Sequence, residues 1–210
     1  MIIKHVIVGW LQTNCYILGD EQTRTCALID PGQKADKILE AVQELGYEAK
    51  MILLTHGHYD HVMAVPQIVK ATGAKVYIHK KDEWLLNCEE VLRYGTRAEG
   101  YTVPHVDGYL EEGQILKLGS LDIKVLHTPG HTAGCCTFLC GDAMFSGDTL
   151  FQECCGRTDL ETGSLEEILK SLKRLAQLEG NFRVLPGHEG FSSLDYERQY
   201  NPYIREAMRR

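Results

Sequence analysis

The segment Thr55-His56-Gly57-His58-Tyr59-Asp60-His61 limits what this chain can fold into more than any other stretch. Four side chains able to bind a metal, His56, His58, Asp60 and His61, fall within six residues. On a strand they would alternate between faces. On a helix they would rotate by about 100° per residue, so neither element lets all four meet. A loop at the carboxyl end of a strand can converge them, and the apolar run 51–54 just before it supplies that strand.

Three further candidates share this setting. His131 follows the β-type run 123–126 and the turn Thr128-Pro129-Gly130; Asp148 follows 143–146 and Gly147; His188 follows 183–185 and Pro186-Gly187. Each stands one turn beyond an apolar β run, where open sheets gather ligands. A lone loop histidine is usually a surface residue or a hydrogen-bonded neighbour of the core, but the repeated setting favours a common site. Five imidazoles and two carboxylates suit borderline divalent metals, zinc first and iron or manganese next. Seven ligands are too many for one tetrahedral ion. Shared between two ions, with one carboxylate bridging, they leave room for a water whose pKa falls to about 7 on zinc.

The rest of the chain reads as strands with helices between groups of them. Runs at Ile2–Val8, 15–18 and Thr25–Ile29 open it, and the third ends at the turn Asp30-Pro31-Gly32. Apolar residues at 35, 38, 39, 42 and 45 predict a helix closed by Gly46. A helix over 62–71, stopped by Gly73, and a strand at Lys75–His79 complete a βαβ unit; another helix is expected around 82–92. Strands follow at Ile115–Leu118, 123–126, 135–140 and 143–146, then an irregular loop over 151–163. The helix 165–178 has Ser164 and Glu167 in capping-box spacing. A last strand at 183–185 precedes a helical tail over 194–210, broken near Pro202. This order predicts an α/β fold of two packed sheets with helices outside. The 210 residues fit one domain, 1–210, large enough to hold a core without disulfides.

Charge and composition exclude some roles. A formal net charge of −7 repels phosphate backbones, so nucleic acid is not an expected partner, although two divalent cations would draw a small anion into their cleft. No apolar run approaches a membrane span, and the amino-terminal MIIKHVIVGWLQTNC lacks the pattern of a signal peptide. The eight cysteines are therefore expected as reduced thiols in a cytoplasmic protein.

The motif HGHYDH resembles the HxHxDH signature of the metallo-β-lactamase superfamily, and TPGHT, SGDTLF and PGHE resemble its later signatures, in order. The resemblance implies a four-layer αββα sandwich with the site at one edge of the two sheets. It places a first metal on His56, His58 and His131, a second on Asp60, His61 and His188, and Asp148 between them, with Asp60 and Asp148 as catalytic carboxylates. HTPGHTAGCCTF and GDTLFQECCGRTDL are similar to the glyoxalase II group, which hydrolyses thioesters of the hydroxyacylglutathione type through a metal-bridging hydroxide. The chain ends at Arg210, soon after His188, without the helical region that holds glutathione in full-length members, so it looks like a short single-domain member.

Other residues admit two readings. Arg157 in GRTD is expected either to clamp a substrate carboxylate or to pair with Asp159. Asp159 and Thr128 are candidates for orienting ligand imidazoles, and turn-stabilising roles compete. Cys135, Cys136, Cys154 and Cys155 read as small buried hydrophobes. His5, His79, His105 and His127 read as structural or exposed. Tyr94, Tyr101 and Tyr109 are candidates to line a substrate pocket, with packing the default. The expected substrate is a small acyl thioester. The competing reading is a persulfide dioxygenase, which shares GRTD and uses one iron on residues matching His56, His131 and Asp148. A lactonase would use the same site. The missing export signal weighs against a periplasmic β-lactamase, the acidic balance against an RNA-processing nuclease, and a binding module predicts no turnover.

Overall fold

Alternation along the central strands assigns their side chains to different cores. The computed structural model describes residues 1–98 and 100–210, without the side chains of 95–98. Its first sheet runs in the order β1 (Ile2–Val8), β2 (Thr13–Asp20), β3 (Thr25–Ile29), β4 (Glu48–Leu53), β5 (Lys75–His79) and β6 (Gly108–Leu110). The first three strands are antiparallel and the rest parallel. Parallel neighbours need crossovers. Helix α1 (Ala35–Leu45) joins β3 to β4; α2 (Tyr59–Val62) and α3 (Val65–Thr72) lie between β4 and β5; α4 (Glu89–Ala98) precedes β6.

The second sheet contains β7 (Ile115–Leu118), β8 (Leu121–His127), β9 (Cys136–Cys140) and β10 (Ala143–Gly147). A hairpin of β11 (Leu150–Phe151) and β12 (Cys154–Cys155) and the helix α5 (Leu165–Ala176) then lead to β13 (Arg183–Pro186), parallel to β10, and the edge strand β14 (Ser192–Ser193). Helices α6 (Leu194–Tyr200) and α7 (Pro202–Arg209) close the chain.

Cys15 and Ile17 of β2 and Cys26 and Leu28 of β3 face α1 and α3. Their neighbours Tyr16, Leu18, Ala27 and Ile29 face Ile123, Val125, Phe138 and Phe145 of the other sheet. Leu139, Met144 and Val184 point away from that inner core, towards Ile168, Leu172 and Ile204. Three cores thus separate four layers, the expected αββα sandwich. Each buried Leu, Ile or Phe contributes about 1.5–3 kcal/mol, and a one-residue slip would send a whole set to the wrong face.

Four differences from the sequence expectation have identifiable local causes. The helix expected over 62–71 starts at Val65, because Pro66 in its first turn has no N–H to continue the preceding α2. The helix expected around 82–92 is a 3-10 helix, Lys80–Asn87, and then α4, separated where Cys88 is extended at ψ 160°. The loop expected over 151–163 contains the β11–β12 hairpin, pinned by Asn201 Nδ2 donating to the carbonyls of Phe151 and Cys154. Ser164 caps α5 by accepting from Glu167 N, but the Glu167 carboxylate pairs with Lys170, so only half of the capping box forms. No described helix is long and apolar enough to cross a membrane.

Candidate metal centre

The carboxyl ends of β3, β4, β8, β10 and β13 meet at one edge of the sandwich, and the two sheets are stitched together there. Cys136 N donates to the Thr55 carbonyl at 2.8 Å, Asn14 N to the Gly187 carbonyl at 2.7 Å, and the Tyr16 hydroxyl to the Pro186 carbonyl at 2.6 Å. The HGHYDH segment solves its convergence problem by changing conformation at His58, which is extended (φ −66°, ψ 149°) immediately before α2. Extended backbone puts His56 and His58 on one side, and the helical turn swings Asp60 and His61 to the other.

All seven expected residues are brought together. His56, His58 and His131 form one set and Asp60, His61 and His188 another, each with donor atoms within 4.8 Å of one another. Asp148 stands between the sets: Oδ1 is 3.5 Å from His61 Nε2, and Oδ2 is 3.6 Å from both His131 Nε2 and His188 Nε2. Gly187 permits this closeness. A Cβ there would lie 2.2 Å from Asp148 Oδ1 and 2.7 Å from His61 Cε1.

The hydrogen bonds on the outer side of each ring decide what points inward. His61 Nδ1 faces the Asp30 carboxylate at 3.0 Å, His131 Nδ1 the Arg157 carbonyl at 2.8 Å and His188 Nδ1 the Leu11 carbonyl at 3.1 Å. Carbonyls and carboxylates only accept, so each Nδ1 carries a proton and Nε2 is the nitrogen turned towards the centre. The Thr55 hydroxyl donates to Asp30 at 2.6 Å and so accepts from His56 Nδ1 at 3.1 Å. His56 Nε2 and Asp148 Oδ1 are buried with no hydrogen-bond partner. His61 Nε2 lies 3.2 Å from His188 Nε2, and His131 Nε2 lies 2.9 Å from His58 Nδ1. His61 Nε2 and His188 Nε2, both turned inward beside the Asp60 and Asp148 carboxylates, call for positive charge between them. A pair of divalent cations fits this donor set.

The electrostatics make the same demand. Burial opposes a charge on His61, but Asp60, Asp148 and Asp30 outweigh it and hold its pKa at about 10. Burial, then the neighbouring imidazoles led by His61, push His56 well below the usual histidine range. Burial and His131 bring His58 down to about 4. Burial would raise the Asp60 carboxyl, yet His61 and His188 keep it well below the usual carboxylate range.

Two buried carboxylates missed by the sequence reading organise the site. Asp30, read there only as part of a turn, accepts from Thr55 N at 2.7 Å, from the Thr55 hydroxyl and from His61. It forms a further close set with His56 and His61, but these hydrogen bonds already occupy its oxygens. Its position just past β3 repeats the signal that found the ligands. Asp82, on the 3-10 helix, accepts from Gly57 N at 3.2 Å, Gly134 N at 2.7 Å and the Thr132 hydroxyl at 2.6 Å, tying the HGHYDH loop to the His131 loop.

The expected orienting roles of Thr128 and Asp159 are corrected. The Thr128 hydroxyl bonds those of Thr137 and Thr149, and Asp159 binds the Arg157 guanidinium through both oxygens at 2.7 and 2.8 Å. The Arg157 carbonyl also serves the centre, accepting from His131 Nδ1. Tyr94 stacks on Tyr59 beside the site at 4.7 Å, whereas Tyr101 is buried and donates to the Leu86 carbonyl, and Tyr109 bonds Glu83. His79 and His127 stack at 4.2 Å outside the centre. The cysteines are free, with Cys136 in the inner core and Cys155 in the outer one.

Known proteins are similar to this chain over most of its length. Hydroxyacylglutathione hydrolase GloC of Haemophilus influenzae is 33% identical over 216 residues, covering 97% of this chain and 98% of that protein. Among solved structures, TTHA1623 in a di-iron-bound form is 38% identical with a TM-score of 0.82, covering 96% of this chain and 100% of its own. ETHE1 from Myxococcus xanthus is 30% identical with the same TM-score of 0.82, covering 96% and 84%. Residues 8–188 match the metallo-beta-lactamase superfamily model, a span that includes every side chain of the centre. The chain belongs to the metallo-β-lactamase superfamily.

Proposed function

We propose that this protein hydrolyses a small-molecule thioester of the hydroxyacyl type, with His56, His58 and His131 holding one divalent cation, Asp60, His61 and His188 a second, and Asp148 facing both. One observation carries the reading: imidazoles whose outer N–H groups are pinned turn their Nε2 atoms, with a partnerless carboxylate oxygen, onto one small volume. When bound, the cations would lower the pKa of water to about 7 and polarise a carbonyl. The chain's own groups hold that geometry. Asp60 Oδ2 accepts from the Thr13 hydroxyl at 3.3 Å and lies 3.1 Å from His188 Nε2, so it is fixed facing the reacting volume. Asp60 is placed to take the water's proton as the water oxygen attacks the acyl carbon and to return that proton to the sulfur as the C–S bond breaks, so that the carboxylic acid and the thiol leave.

GloC, named a hydroxyacylglutathione hydrolase, supports the substrate class, and zinc is the first choice of metal for this donor set, with iron or manganese next. The likeness to a di-iron-bound structure makes the metal a quantity to measure. Elemental analysis of freshly purified protein, with a panel of thioesters, lactones and glutathione persulfide, tests the reading. Two ions per chain and thioester turnover that is lost on chelation and restored by metal are expected. A single ferrous ion with oxygen consumption on the persulfide would replace it with the dioxygenase reading, and turnover of lactones alone with the lactonase.

A further inference from the structure

A cavity of about 410 Å³ opens directly against His58, within the size range of small-molecule sites. Trp84, Leu85, Tyr94 and Leu160 give it apolar walls. Trp84 and Leu160 are 40% and 38% exposed, large hydrophobic side chains left open to solvent beside the metal centre. Among the described lining side chains, Glu89, Glu90 and Glu161 stand against Arg93 alone. The Arg93 guanidinium lies over the Tyr94 ring at 5.9 Å, and among the described side chains the Arg157 guanidinium is bound to Asp159.

We infer that this cleft receives the non-reacting arm of the substrate, and that it selects an apolar arm ending in an ammonium or no charge over the dicarboxylate arm of a glutathione thioester. The inference rests on the thioester reading for its reaction and on the cavity for its selectivity. A glutathione arm carries two carboxylates and one ammonium, and seating it beside three exposed glutamates sets like charges together at the rim of the cleft. An ammonium arm reverses the sign. Its methylenes pack on Trp84 and Leu160, and its charge meets both the carboxylates and the Trp84 ring.

The test uses the metal-loaded protein and one acyl group on three thiols: cysteamine (cationic), N-acetylcysteamine (neutral) and glutathione (anionic). KM is measured for the thioesters, and Kd by calorimetry for non-hydrolysable S-alkyl thioethers of the same thiols. Both constants should rise in that order by about tenfold or more across the series, a difference of about 1.4 kcal/mol. The spread should narrow at high salt and collapse in a Glu89→Gln/Glu90→Gln/Glu161→Gln variant. Tightest binding of the glutathione compounds, or a spread unchanged by that variant, would overturn the inference. If no thioester is hydrolysed, the thioether Kd order still judges the cleft, so the two readings fail separately.

Discussion

Asp20 and Asp148 are both buried carboxylates at the end of a β-strand, and their different surroundings separate a structural end of this sandwich from a chemical one. Asp20, at the end of β2, accepts five hydrogen bonds: from the N–H groups of Gln22, Thr23 and Ser120 and from the hydroxyls of Thr23 and Ser120. It ties a turn of one sheet to a turn of the other, and both oxygens are satisfied. Asp148, just past β10, has a buried oxygen with no donor and faces three imidazole nitrogens at 3.5–3.6 Å. A fully bonded carboxylate holds structure. One left facing imidazole nitrogens, at the opposite end of the same sandwich, waits for a cation.

The largest effect expected from breaking this contrast is at Asp148. Asp148→Asn should lower kcat/KM by about a thousandfold, roughly 4 kcal/mol, and reduce the metal bound per chain while the circular dichroism spectrum is retained. Two bound metals with normal turnover would remove Asp148 from its proposed place. Asp30→Ala comes next. Freed from the carboxylate that holds Nδ1, His61 should bind metal about 10- to 100-fold more weakly, measured by competition with a chelator. An unchanged affinity would mean that Asp30 acts only on the Thr55 turn.

Asp20→Asn should show the reverse profile: a Tm lower by several degrees, with metal content and turnover retained. Hydrogen bonds from Ser120 and Thr23 hold the Asp20 carboxyl well below the usual carboxylate range. Its stabilisation is therefore fully present above about pH 4 and is lost as pH falls below that value. The variant should lose less stability than the parent between neutral and strongly acidic pH, and parallel losses would contradict the assignment. The smallest effect belongs to Arg157, whose guanidinium forms an exposed pair with Asp159. Arg157→Ala should leave Tm and metal content unchanged and raise KM for a carboxylate-bearing thioester no more than severalfold. A much larger rise would show that it leaves Asp159 to clamp substrate.

The contrast also marks how far the sequence could be read. A His or Asp one turn past an apolar β run picked out His131, Asp148 and His188, and the crowding in HGHYDH picked out the rest. The same signal marks Asp30, overlooked because Asp-Pro-Gly is so strong a turn, and it would equally have marked Asp20. What separates them is strand direction. β3 and β4 are parallel and bring Asp30 to the His56 end, whereas β2 runs antiparallel to β3 and carries Asp20 to the far end. Asp82 lay deeper, since nothing local shows that a carboxylate on a 3-10 helix will bind two distant loops.

By itself the sequence determined that two sheets pack with helices outside and which residue types can hold a metal, because element order and short-range turn chemistry are written in neighbouring residues. Only the tertiary structure decided which strand ends coincide, which ring nitrogen keeps its proton, and where a carboxylate is left without a donor. Those depend on partners from other parts of the chain, such as Leu11 on His188 and Arg157 on His131, which meet only once the two sheets have packed.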